Sequence, residues 1–234
     1  MLESLLPFVQ ILLQFCFSLH FSFVLVFVLL MVCCDFFNIV FDCVAAVFSE
    51  ESWTILIHHR GRFILILREP VSRAISNYVM NKYRKTKRFP SLPTFDVEVD
   101  KGIRYLQKCG LQTSADWRRC WQMDSLEMKN IVPRGIYVFQ LQRWLEEFSL
   151  KQFFIVTTHD LFADPRGMLH RIETFLRIPH HNFSEELLEK HYNTAPKKSV
   201  NDSFASNTLQ RLRKFYAPFN DQLEDVLGRK LNWN

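Results

Sequence analysis

Apolar residues are arranged in three ways along this chain. From Leu5 to Val32 they run almost unbroken, and Leu12 to Val32 would form a helix of roughly 30 Å, the thickness of a bilayer core. The interruptions there are mild (Gln14, Ser18, His20 and Ser22), and a spanning helix tolerates such groups better than charge. Short continuous runs are the second pattern. Phe63 to Leu67 (FILIL) and Phe153 to Thr157 (FFIVT) read as strands buried on both faces of a parallel sheet, and WTILI at Trp53 to Ile57 is a further short run before the polar turn HHRGR. The third pattern is helical spacing. PVSRAISNYVMNKYRK, starting at Pro70, puts Val71, Ile75, Tyr78 and Val79 on one face. RGIYVFQLQRWLEEF does the same with Tyr137, Leu141, Trp144, Leu145 and Phe148.

Asp164-Pro165 caps a helix that turns Leu169, Ile172, Phe175 and Leu176 inward and stops near Pro179. The segment Thr208 to Leu227 reads as helical with a break near Pro218, and Gly228 is placed to cap it. Arg84 to Asp100 reads as loop, followed by helices over Lys101 to Lys108 and Asp116 to Lys129. Strand, helix, insert, helix, strand, helix is an α/β order, and it predicts right-handed crossovers around a parallel sheet.

Charge divides the chain at residue 50. The whole carries 29 Lys and Arg against 24 Asp and Glu, a net +5. The first fifty residues hold no Lys or Arg and four acids (Glu3, Asp35, Asp42 and Glu50), so the remainder sets 29 bases against 20 acids, a net +9. Residues 1–50 are thus a hydrophobic segment and residues 51–234 a basic globular domain. For the segment a membrane helix is the preferred reading. A secretory signal peptide is the rival: Val44-Ala45-Ala46 suits a cleavage site, but there is no basic start and the apolar run is long. Translated non-coding text joined to a real domain by a faulty gene model is the third reading.

Cys16, Cys33, Cys34 and Cys43 lie in the segment, and only Cys109 and Cys120 lie in the domain, where they could form a disulfide in an oxidising compartment, though two thiols eleven positions apart leave the pairing open. No Cys/His spacing matches a zinc site. RKTKR is a basic cluster, yet the charges do not line a single helix and no nucleic-acid module is present.

The chemistry concentrates in FILILREPVSRAISNY. Arg68 sits at the carboxyl end of a buried strand, the edge where open parallel sheets bind ligands. The helix that starts at Pro70 offers N–H groups and a positive dipole end, Arg68 a planar fork of donors, and Ser76 a hydroxyl two turns on. Together they make a phosphate seat. An ion-paired arginine and a surface serine remain the open alternative.

This run resembles the 3′-phosphate-binding segment of sulfotransferases, with Arg68, Pro70, Arg73, Ser76 and Tyr78 in register. RGIYVFQLQRWLEEF is similar to the family's Gly-x-Tyr and Leu-x-x-Trp-Leu helix. FFIVTTHDLFADPRGMLHRIETFLRIP is similar to its next strand, Asp-Pro turn and helix. LRKFYAPFNDQLEDVLGRKLNW is similar to its carboxyl-terminal helix. The pattern is nearest to carbohydrate sulfotransferases of the heparan sulfate type and covers roughly Phe63 to Trp233.

The resemblance implies a P-loop-like α/β domain, with a parallel sheet flanked by helices. It implies transfer of a sulfuryl group from 3′-phosphoadenosine 5′-phosphosulfate to a hydroxyl or amine, usually on a glycan, with no metal. Arg68 and Ser76 match the 3′-phosphate ligands. NTAPKKSV stands where such enzymes carry a basic loop over the donor, which makes Lys197 and Lys198 candidate contacts.

The departures are equally specific. The family opens with a strand and a Lys/Arg-x-Gly-Thr/Ser-Thr/Ser loop that cradles the 5′-phosphosulfate, and no such loop precedes Arg68. The sheet is therefore expected to be incomplete at its amino-terminal end. A glutamate base is expected in the same stretch, where only Glu50 and Glu51 stand, in no matching context. His58 and His59 qualify by residue type alone, so the catalytic residue is unassigned.

Two functions follow. One is a membrane-anchored sulfotransferase of the Golgi or secretory pathway, held through residues 5–34, with a glycan acceptor and no nucleic acid. Asn182-Phe183-Ser184 and Asn201-Asp202-Ser203 are glycosylation acceptors consistent with it. The other is a catalytically inactive relative that binds or interacts, or a truncated product.

Overall fold

The computed structural model describes residues 61–86, 93–128, 130–185, 188 and 204–233. In chain order the elements are β1 (Phe63–Leu67), α1 (Pro70–Thr86), α2 (Phe95–Cys109), α3 (Ser114–Met123), α4 (Ser125–Met128), α5 (Tyr137–Leu145), β2 (Phe153–Thr157), α6 (Thr158–Ala163), α7 (Pro165–Leu176) and α8 (Ser206–Leu227). They fall into two units, with the chain passing from the first to the second between Arg68 and Glu69 and returning between Glu146 and Glu147.

The first unit holds β1, β2, α6 and α7. The strands pair in parallel, Phe63 with Phe153, Leu65 with Ile155 and Leu67 with Thr157. All five residues of β1 are buried, which is why its sequence shows no polar alternation. Ile64 and Ile66 of β1 and Val156 of β2 pack against Met168, Ile172 and Leu176 of α7. Each aliphatic side chain buried this way contributes about 1.5–3 kcal/mol. Asp164 starts α7 as expected: its Oδ1 accepts from the Gly167 N–H at 2.9 Å, and Pro165 occupies the first helical position.

The second unit is helical. In α2 the positions Phe95, Val99, Gly102, Leu106 and Cys109 form one buried stripe. Gly102 allows a close approach, because a Cβ there would lie 2.5 Å from Asn130 Oδ1 and 2.7 Å from Val132 Cβ. The long α8 packs on α1, α2 and α5, and α3 packs on α2 and α5. A disulfide joins Cys109 at the end of α2 to Cys120 on α3, with Cα atoms 5.4 Å apart.

Several expectations change. The stretch expected to be loop up to Asp100 turns helical at Phe95: the Thr94 hydroxyl accepts from the Val97 N–H at 3.4 Å, and Asp96 and Glu98 favour the first turn. The helix expected over residues 116–129 is two, α3 and α4, separated at Asp124. The expected break at Pro218 does not occur. One N–H is lost there, but Leu212, Tyr216, Asn220 and Leu223 are buried along one stripe that holds both halves of α8 in line. Gly228 caps α8 at φ 64°, as expected. Among the described residues no helix is long and apolar enough to cross a membrane. The proposed span within residues 5–34, the run at Trp53 to Ile57, the first fifty residues and their four cysteines lie outside the described residues.

Candidate functional site

The Arg68–Ser76 segment is shared between the two units. Arg68 follows β1 directly in the first unit and is half-buried. Ser76 lies on the second turn of α1 in the second unit and is also half-buried. Lys197 and Lys198 lie outside the described residues, as do His58, His59, Glu50 and Glu51.

The start of α1 differs from expectation. The sequence offers its first N–H groups to an anion. Instead the Glu69 carboxylate caps them: Oε1 accepts from the Val71 N–H at 2.8 Å and Oε2 from the Ser72 N–H at 2.6 Å. A carboxylate at a helix start is well placed against the dipole, so the cap is stable on its own. The Val71, Ser72 and Arg73 N–H groups are therefore all satisfied by Glu69.

The other residues of the run serve the scaffold. Arg73 is 1% exposed and donates to the Ile131 carbonyl, 58 positions away. The Tyr78 hydroxyl donates to the Pro93 carbonyl at 3.0 Å, and its ring meets Phe95 edge-on at 5.4 Å. Asn77 is buried and accepts from Arg134 Nη1 at 3.4 Å. One pattern in the sequence thus contains two kinds of residue. Arg73, Asn77 and Tyr78 fix α1 within its unit, while Arg68 and Ser76 keep part of their surface in solvent. Only burial separates the two kinds.

The Gly-x-Tyr stretch is likewise structural. Gly135 lies against Tyr216 of α8, whose hydroxyl donates to the buried Val132 carbonyl at 2.8 Å. The helix after it, α5, ends at Leu145 and is shorter than its spacing suggested; Val138 and Phe139 join Leu141 and Trp144 in its buried face.

The Asn182 side chain is exposed, and its Oδ1 accepts from Arg166 Nη1 at 3.4 Å, while Phe183 beside it is buried. The second acceptor, Asn201, lies outside the described residues.

Comparison with known proteins gives one consistent family. The sulfotransferase domain matches residues 54–221. Heparan sulfate glucosamine 3-O-sulfotransferase 3B1 of Mus musculus is 25% identical over 190 residues, covering 74% of this chain and 43% of the relative. Carbohydrate sulfotransferase 15 of Mus musculus is 28% identical over 175 residues, covering 71% and 30%. The chain thus spans less than half the length of these relatives. A sulfotransferase structure from Alicyclobacillus acidocaldarius shares the fold, with a TM-score of 0.50 and 19% identity over 77% of this chain and 61% of that one.

Proposed function

The chain belongs to the sulfotransferase domain family, and from that premise we propose that it transfers a sulfuryl group from 3′-phosphoadenosine 5′-phosphosulfate to a hydroxyl or amine of a glycan. In the reaction the acceptor oxygen or nitrogen attacks sulfur, and the bond from sulfur to the 5′-phosphate oxygen breaks. Adenosine 3′,5′-bisphosphate leaves, and the acceptor proton passes to a base. The donor supplies the activated sulfur. This chain's own part, on the described residues, is to hold the nucleotide: the Arg68 guanidinium forks onto the 3′-phosphate and the Ser76 hydroxyl donates to it. Lys197 and Lys198 add positive charge over the donor.

The observation that carries the reading is Arg68 directly after β1, followed at once by a helix whose start is already capped by Glu69. Arg68 and Ser76 are half-buried there, whereas Arg73, Asn77 and Tyr78 of the same run are buried. The fit to an anion is one of side chains, since the first N–H groups of α1 are taken. The glycan acceptor rests on what the relatives named above act on. A secretory-pathway position, anchored through residues 5–34, is supported by the Cys109–Cys120 disulfide and by the exposed Asn182 acceptor.

The second reading is a relative that binds without transferring. Calorimetry with adenosine 3′,5′-bisphosphate, paired with a sulfation assay on heparan sulfate oligosaccharides, separates the two. A charged hydrogen bond contributes about 1.5–3 kcal/mol, so Arg68→Ala should weaken nucleotide binding roughly 10- to 150-fold, and Ser76→Ala less. Binding without turnover selects the second reading. Binding that neither substitution affects refutes the assigned seat.

A further inference from the structure

A side-chain cluster lies in the first unit, at the end of α7. His170 and Glu173 are three positions apart on that helix and share a face. The helix stops after Leu176 because Arg177 takes the left-handed conformation, φ 58°, with its N–H returned to the Glu173 and Thr174 carbonyls. The Ile178 N–H also donates to the Glu173 carbonyl, at 3.1 Å. This reversal brings His180 back over the last turn. One nitrogen or oxygen from each of His170, Glu173 and His180 then lies within 4.8 Å of the others.

Glu173 is the unusual member. It is 2% exposed, on a helix whose other buried residues are Met168, Leu169, Ile172 and Leu176. A carboxylate buried among such residues is costly unless it is satisfied. Its Oε1 accepts from the backbone N–H of His181 at 3.0 Å, a fixed partner. Its Oε2 faces His180 Nδ1 at 3.0 Å, and that imidazole is 57% exposed. The His170 and His180 rings lie 4.9 Å apart between centroids. Two imidazoles thus gather beside a buried carboxylate, with solvent on the open side.

This N₂O donor set, with a free outer position, suits zinc. Zn–N and Zn–O distances of about 2.0–2.2 Å place tetrahedral donors about 3.3 Å apart. The cluster must contract by no more than about 1.5 Å to reach that spacing, within the rotamer freedom of a half-buried and an exposed imidazole. The His181 N–H on Oε1 orients the carboxylate, as outer partners of metal ligands do. We propose that His170, Glu173 and His180 bind one divalent transition-metal ion, with Zn²⁺ the best chemical match, and that the ion ties the end of α7 to the segment after it. Nothing in the sulfotransferase reaction requires this ion, so the site is structural.

The test is calorimetric titration of Zn²⁺ into the full chain, without a histidine tag and with free thiols alkylated so that cysteines do not compete. One saturable site is expected. His170→Ala and His180→Ala should each weaken it at least on the order of 10- to 100-fold, the loss typical even of partners one shell further out. Glu173→Gln, which keeps a carbonyl for the His181 N–H, should weaken it similarly, and His159→Ala should leave it unchanged. Zinc should raise the thermal midpoint of the parent and not that of the His170→Ala/His180→Ala double variant. No saturable site in the parent, or equal binding by parent and double variant, overturns the proposal. Both substituted histidines have solvent-facing surface, so a folded double variant is expected and far-ultraviolet circular dichroism verifies it.

Discussion

Gly135→Ala is the substitution whose cost follows most directly from the structure. A Cβ at Gly135 would lie 2.6 Å from the Tyr216 hydroxyl oxygen and 2.7 Å from Cε1 and Cζ of the same ring. Carbon contacts are comfortable at about 3.5–4.0 Å, so the overlap is about 1 Å on three atoms at once. The ring has nowhere to go, being 1% exposed and tethered by its hydroxyl to the Val132 carbonyl. Backbone strain does not enter, because positive φ among the described glycines is confined to Gly110 and Gly228. Overpacking costs about 1–3 kcal/mol, and weakening the buried hydrogen bond adds about 0.5–1.5 kcal/mol, so a loss of about 2–4 kcal/mol is expected. Equilibrium urea unfolding reads this as a fall in midpoint of about 1 M at unchanged slope. Tyr216→Ala removes the obstacle, so the double variant should lose less than the two single losses combined, by about 1–3 kcal/mol. A Gly135→Ala protein within about 0.5 kcal/mol of the parent, or strictly additive losses, would refute the steric account.

Two further outcomes rest on other parts of the second unit. The Cys109–Cys120 bridge closes a loop of eleven positions, so reduction, or the double substitution to alanine, should cost about 2–3 kcal/mol and lower the thermal midpoint, as scanning calorimetry with and without reductant would register. Glu224 is held below its ordinary value by the hydrogen bond from Lys230 Nζ (2.7 Å), helped by the Leu231 N–H, and Asp116 below its own by the Thr113 hydroxyl and the Gln112 N–H. A carboxylate depressed in the folded state contributes fully above its unfolded value and loses that contribution as pH falls through the folded one. Stability should therefore decline as pH drops below about 4.5 for Glu224 and below about 3.8 for Asp116, and denaturant midpoints taken against pH should show a smaller acid loss in Glu224→Gln.

The disulfide and the donor-binding run bear on function in different ways. The bridge lies in the helical unit and supports an oxidising location, where glycan-modifying enzymes would meet their acceptors. The capped start of α1 leaves its first N–H groups satisfied by Glu69, so the proposed phosphate seat rests on the side chains of Arg68 and Ser76. On that proposal, Arg68→Ala should weaken donor binding without disturbing the buried contacts of Arg73 or Tyr78.

Local pattern alone determined the strands FILIL and FFIVT, the capped start of α7 at Asp164-Pro165 and the glycine stop at Gly228. Each depends on neighbours within a few positions, which periodicity and capping chemistry read directly. The family assignment was legible for the same reason, since its motifs are short and ordered along the chain. Tertiary structure decided the rest. Arg73 and Arg68 read alike in the sequence, and only the fold shows Arg73 donating to the Ile131 carbonyl, 58 positions on. Helix α8 runs through Pro218 because packing along its buried stripe outweighs one missing hydrogen bond. The group of His170, Glu173 and His180 carries no cysteine and no familiar ligand spacing, and it exists only because the chain reverses at Arg177. What a side chain does depends on what the fold brings against it, and contacts between distant positions leave no mark on local spacing.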